Sequence, residues 1–191
     1  MMELTGKLII FSAPSGSGKT TIVKQLLQVF PQFEFSISAT SRQPRGQEQN
    51  GVDYFFLTQE EFRQKVEQDA FVEWEEVYNG TCYGTLKSEM QRIWAKGNVI
   101  IFDVDVMGGI SLKRIFGENA CSIFIQAPSV EALRERLIGR GTDSMETIEK
   151  RVAKAEFEIS KSGEFDYVVV NDVLDTAVAE TEGIINNFLA K

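Results

Sequence analysis

Ala13-Pro14-Ser15-Gly16-Ser17-Gly18-Lys19-Thr20 follows the apolar run Leu8-Ile9-Ile10-Phe11 and leads into an amphipathic stretch. Strand, glycine-rich turn and helix in that order make an anion cradle, because successive backbone N–H groups point into the turn and the helix start adds partial positive charge. In such a loop Lys19 reaches the β- and γ-phosphates of a nucleotide as a mobile point charge, and the Thr20 hydroxyl sits on Mg²⁺. The stretch therefore reads as an ATP or GTP site. It departs from G-x-x-x-x-G-K-[ST] at Ala13, which is acceptable where φ is negative, while Gly16 and Gly18 occupy the turn itself. The competing reading is a plain Gly/Ser turn between a core strand and a helix.

The remaining composition narrows the chemistry. With 191 residues, 43% hydrophobic and 25% charged, the chain is long enough for one good core. No apolar run approaches the roughly 20 residues that span a bilayer. Met1-Met2-Glu3-Leu4-Thr5-Gly6-Lys7 lacks the basic segment and cleavage site of a secretory signal, so a cytoplasmic protein without membrane contact is expected. Cys82 and Cys121 are too few and too far apart for a zinc knuckle or redox pair and read as free thiols. The absence of histidine removes Ser-His-Asp and Cys-His nucleophile activation. Phosphoryl transfer tolerates that absence, because it runs on positioning and electrostatics. A net charge of −8 argues against binding a nucleic-acid polymer, though a local arginine cluster can still make a positive cleft for a mononucleotide.

Along the chain, Ile22, Val23, Leu26, Leu27 and Phe30 recur at helical spacing, predicting a helix over 19–30 ended by Pro31. Short strands are expected at Phe35–Ser38, Tyr54–Leu57 and Phe71–Tyr78, within a segment rich in polar turns. Val99-Ile100-Ile101-Phe102-Asp103, Ser122-Ile123-Phe124-Ile125 and Tyr167-Val168-Val169-Val170 read as fully buried strands. Interleaved with helices, they predict an α/β fold with a parallel sheet. Val130–Ile138 and Thr147–Ile159 read as a charged helical hairpin thin in core residues, its second helix opened by a capping box of Asp143 and Glu146. That hairpin is either a solvated pair or a mobile lid.

Ser38, Arg42, Arg45 and Tyr54 fall in one short polar region. Two guanidinium forks can neutralise a phosphate monoester dianion, so the region is an oxyanion clamp or a charge-decorated loop. Asp103 closes an apolar strand, where a carboxylate needs a partner; Mg²⁺ with its waters is one, a helix N-cap the other.

Ser38 to Arg45, Glu48 to Tyr54, Glu73-Trp74, Tyr83-Gly84-Thr85, Asp103 with Asp105, and Gly139-Arg140-Gly141-Thr142 follow one another in the order of a known pattern. In these segments, and in the glycine loop, the chain resembles the guanylate kinases. Gln47, Met107, Cys82 and Ser41 depart from the family's usual residues without removing an assigned charge.

The resemblance implies a P-loop core (about 1–35, 91–127 and 164–191), an inserted GMP-binding subdomain (about 36–90) and a helical lid (about 128–163) that closes over both substrates. It implies ATP-dependent phosphorylation of GMP, and of dGMP, to the diphosphate. ATP would be held by Ser15, Gly16, Ser17, Gly18, Lys19, Thr20 and Thr21, with Asn171 and Asp172 bordering adenine or ribose. Arg42, Arg45, Tyr54 and Tyr83 would hold the GMP phosphate, while Ser38, Glu73, Gly84, Thr85 and Asp105 would read or orient guanine. Lys19, Arg45, Arg140 and Arg151 would carry catalysis, and Thr20 and Asp103 would attend Mg²⁺. Carboxylate recognition suits guanine, whose N1–H and 2-amino group both donate, an arrangement adenine lacks. A homodimer is left open. The alternatives are a monophosphate kinase of different base preference, a phosphopeptide-binding module of the same fold, and a switch GTPase. The last lacks its N-K-x-D, since the chain offers only Asn171-Asp172-Val173-Leu174.

Overall fold

β1 (Leu8–Ser12) is buried at every position because it lies inside the sheet, covered on both faces. The computed structural model describes residues 6–78, 80–141 and 143–191. Met1 to Thr5, with the leader-free start expected there, and Thr142 of the arginine-glycine motif lie outside the described residues. The chain divides into two compact units, one of residues up to 33 and from 101 onward, the other of residues 34–100.

The first unit is built on a sheet. With β2 (Phe33–Phe35) and β7 (Val99–Asp103), whose residues 34–35 and 99–100 are counted in the second unit, and with β8 (Ala120–Gln126) and β9 (Tyr167–Val170), its order is β2-β7-β1-β8-β9. The pairs β1–β8 and β8–β9 are parallel. β8 is buried almost throughout, as its apolar run requires, but β9 is not the buried strand expected: Tyr167, Val168 and Val170 are 38%, 38% and 44% exposed. It is an edge strand with one neighbour, and edge position is not written in an apolar run.

The helices follow their signals with one correction. α1 (Lys19–Val29) buries Ile22, Val23 and Leu26 and stops two residues before Pro31. α4 (Val106–Phe116), α5 (Val130–Gly139), α6 (Met145–Ile159) and α7 (Leu174–Leu189) complete the unit. α6 is capped by Ser144, whose side chain accepts from Thr147 N–H, and not by the expected Asp143–Glu146 box. Asp143 instead lies 3.5 Å from Arg151, and Glu146 pairs with Lys150. The α5–α6 pair is also better packed than its charge suggests, with Leu133, Leu137, Ile148, Val152 and Ala155 closing on Ala127.

The second unit has a four-stranded sheet of β3 (Ala39–Thr40), β4 (Phe55–Phe56), β5 (Phe71–Tyr78) and β6 (Thr81–Leu86), in the order β4-β3-β6-β5. The strand expected at Phe35–Ser38 is not formed as such: only Phe35 is in a strand, the end of β2, and residues 36–38 lie between β2 and β3. Ile37 N–H is taken by the Glu89 carboxylate at 3.2 Å, not by a neighbouring strand. Two helices, α2 (Gln59–Glu67) and α3 (Lys87–Trp94), went unread in the sequence, although Thr58 and Glu61 form a full capping box. Phe62 stacks on Phe71 at 4.5 Å, and both pack with Ala39 and Leu86.

Glu34 anchors the base of this unit, bonded to Lys96, Arg92 and Asn98 at 2.9, 2.5 and 2.7 Å. Lys96 chiefly, with Asn98 and Arg92, holds its carboxyl at about 2 against the opposing effect of burial. A carboxyl depressed on folding adds stability above its unfolded value of 4.5, and this is lost as pH falls towards 2. Glu34→Gln is therefore expected to lower the urea midpoint at pH 7, and the difference should shrink steadily below pH 4.5 and vanish only below about pH 2. Curves that stay parallel across that range would contradict the account.

Candidate active site

The glycine loop is set by two positions that side chains cannot occupy. Gly16 and Gly18 have φ of 96° and 89°; a Cβ on Gly18 would stand 2.2 Å from the Asn171 amide nitrogen. Asp69 is the positive-φ non-glycine residue among those described, so Ala13 sits in ordinary backbone as its substitution for glycine requires. α1 begins at Gly18 without a side-chain cap, which leaves its first N–H groups for an anion.

Asn171 clasps the loop. Its side-chain amide, in a residue only 6% exposed, donates to Ser17 O at 2.8 Å, and its own carbonyl accepts from Arg136 at 2.8 Å. Asn171 and Asp172 also line a cavity of about 370 Å³ with Gly16, Gly18, Thr21 and Arg140. Asn171→Asp would set a carboxylate against the Ser17 carbonyl. Losing this buried bond is expected to weaken the loop's hold on a nucleoside triphosphate by about tenfold, within the cost of one unpaired buried group, as an equilibrium nucleotide titration would measure.

Beside the loop a cavity of about 390 Å³ gathers Ser15, Gly16, Gly18, Lys19, Thr20, Thr21, Asp103, Asp105, Arg140 and Arg151. The Lys19 ammonium pairs with the Asp103 carboxylate and donates to Val104 O at 3.2 Å. Arg151 donates to Ser15 Oγ at 2.8 Å, tying α6 to the loop. Asp105, not Asp103, is the helix N-cap: its carboxylate accepts from Gly108 N–H at 2.8 Å at the start of α4. Lys154 and Glu158 line the same cavity and were missed in the sequence. Their spacing of three and seven from Arg151, one helical face, was the available signal.

Thr20 and Asp103 supply hard oxygens at the cavity wall, and no cage of three or more acidic, histidine or cysteine side chains exists among the described residues. That donor set fits Mg²⁺, which keeps several waters and binds through one or two carboxylates plus substrate phosphates.

In the second unit Arg42 is the centre. Its Nη1 and Nη2 donate to Glu48 at 2.6 and 2.8 Å, its Nε donates to the Tyr83 hydroxyl at 3.1 Å, and its guanidinium lies 4.9 Å from the Tyr54 ring centre. The Arg42 bond, with Arg45 N–H adding a second, draws the Glu48 carboxyl down to about 2. Arg42, Tyr54 and Tyr83 thus stand together, while the Arg45 side chain is exposed. Glu48, quoted in the sequence only as part of a motif, is the residue that aims Arg42.

Glu73, on β5, accepts from the Thr85 hydroxyl on β6 at 2.7 Å across the register pair Glu73↔Thr85. Thr85 is 2% exposed, so it orients the carboxylate. A Cβ on Gly84 would meet Glu73 O and the Trp74 side chain at 2.8 Å, so glycine there allows the strands to close. Ser38 is half-buried and its carbonyl accepts from Phe55 N–H.

A buried parallel strand, a left-handed glycine turn and an uncapped helix, with lysine and two arginines on one cavity, define a P-loop nucleotide-binding protein. The guanylate kinase family pattern matches residues 5–188. The chain is 56% identical over 189 residues to the guanylate kinase of Bacteroides thetaiotaomicron, covering 99% of this chain and 93% of the relative. It is 55% identical to that of Porphyromonas gingivalis over 97% of this chain and 99% of that one. The crystal structure of guanylate kinase from Anaplasma phagocytophilum superimposes with a TM-score of 0.69 at 28% identity, covering 95% of this chain and 85% of that one. This chain belongs to the guanylate kinase family.

Proposed function

We propose that this enzyme transfers the γ-phosphoryl group of ATP to GMP, and to dGMP, forming the corresponding diphosphates. Family membership carries the reaction, and the convergence of Lys19, Arg140 and Arg151 on the glycine-loop cavity is the observation that favours catalysis over binding alone. The loop and its residues through Thr21 hold the ATP phosphates, and Asp172 borders the rest of the nucleotide. Arg42, Tyr54, Tyr83 and Arg45 hold the GMP phosphate. Ser38 and Glu73 read guanine, with Thr85 orienting the Glu73 carboxylate. Residues of about 36–90 are assigned as the GMP-binding subdomain and about 128–163 as the lid.

When bound at Thr20 and Asp103, Mg²⁺ supplies charge neutralisation on the ATP phosphates. With ATP bound, Lys19 would turn from Asp103 to phosphate, and Arg140 and Arg151 would offset charge on the transferring group. No protein nucleophile is needed, in keeping with a chain that has no histidine. No helix among the described residues is long and apolar enough to cross a membrane.

The deciding assay is diphosphate formation from ATP and Mg²⁺ with GMP, AMP, CMP and UMP in turn. GDP alone is expected. Failure with all four by a folded protein that binds GMP would leave only a binding function.

A further inference from the structure

α6 carries two lysine–glutamate pairs of opposite character. Glu146 and Lys150, both exposed, meet at 2.7 Å with glutamate first, the order that stabilises a helix. Lys154 and Glu158 meet at 3.4 Å in the reverse order, and Glu158 is only 7% exposed. The reversed order stabilises a helix less and the desolvated carboxylate is costly, so holding the helix together is a weak explanation of this pair. Burial accordingly pushes the Glu158 carboxyl upward, with Lys154 opposing.

What the pair does have is a place. Arg151, Lys154 and Glu158 share one helical face, and all three line the glycine-loop cavity. The Arg151 bond to Ser15 Oγ sets that face on the loop. Lys154 is 67% exposed along its side chain, so its ammonium has room to move, while Glu158 at the back of the face restricts where it goes. Lys19 is already paired with Asp103, and Arg151 lies 3.5 Å from Asp143, so part of the cavity's positive charge is offset before a polyphosphate arrives.

We propose that Lys154 is a further ATP-binding residue, whose ammonium is placed against the polyphosphate chain by Glu158 acting as its positioning residue. This rests on assigning the cavity to ATP. Lysine serves here as a point charge on a flexible stem, able to follow a phosphate chain without the fixed fork of arginine.

The test compares Lys154→Gln, Lys154→Arg, Glu158→Gln and the double variant Lys154→Gln/Glu158→Gln. ATP saturation kinetics at saturating GMP are combined with equilibrium binding of ATP to the full chain without GMP. Lys154→Gln is expected to raise both KM and Kd for ATP by about fivefold, with a smaller effect on kcat, as suits one partly exposed charge-assisted contact. Lys154→Arg should recover most of the affinity. Glu158→Gln should weaken ATP binding about twofold, and the double variant should lose no more than Lys154→Gln alone, because Glu158 acts through Lys154. Unchanged ATP affinity in Lys154→Gln, or additive losses in the double variant, would overturn the proposal. If the unaltered protein forms no GDP, the kinase assignment falls, yet the binding comparison still decides the role of Lys154.

Discussion

Lys19→Ala is expected to lower GDP formation by about a thousandfold, equivalent to roughly 4 kcal/mol of transition-state stabilisation. Two losses act together. The ammonium that compensates charge on the β- and γ-phosphates disappears, and the Asp103 carboxylate it had neutralised is left facing the same cavity. The double variant Lys19→Ala/Asp103→Asn should therefore bind ATP without Mg²⁺ more tightly than Lys19→Ala while remaining a poor catalyst. Turnover at saturating ATP and GMP, beside ATP binding, measures both. A rate within tenfold of the unaltered enzyme would remove this lysine from the reaction.

Glu73→Gln is expected to lower kcat/KM for GMP by roughly 10³-fold and to leave KM for ATP near its original value. Guanine presents two adjacent donors, N1–H and the 2-amino group, and a carboxylate accepts from both. An amide sets its own NH₂ against one of them and leaves donors facing each other. The fold should survive, because the glutamine oxygen can still accept from Thr85. Inosine monophosphate lacks the 2-amino group, so the preference for GMP over it should shrink in the variant. An undiminished preference would mean that Glu73 does not read that edge of the base.

The parts legible in the sequence were those whose cause is local. Eight consecutive residues spell out the loop, and unbroken apolar runs reveal β1 and β8 because both are covered on each face. β9 has the same kind of run, but its exposure depends on strand order, a property of the whole sheet. The cap of α6 was missed by one position because Asp143 and Ser144 are both good capping residues, and the pull of Arg151 on Asp143 comes from eight residues further along. The Thr58–Glu61 box was fully legible and overlooked. For the site, residue types were evident but pairings were not: that Glu48 aims Arg42 and that Thr85 holds Glu73 follow only from how a loop and a hairpin fold.

The clasp between Asn171 and the loop joins positions 154 residues apart. Ser17 leaves the ribosome well before Asn171, with the intervening strands and helices made between them. The early glycine loop must therefore wait for β9 to dock before the Asn171 amide can secure its left-handed turn. A chain stalled short of residue 171 carries the whole glycine-loop motif and lacks the amide that holds it in shape.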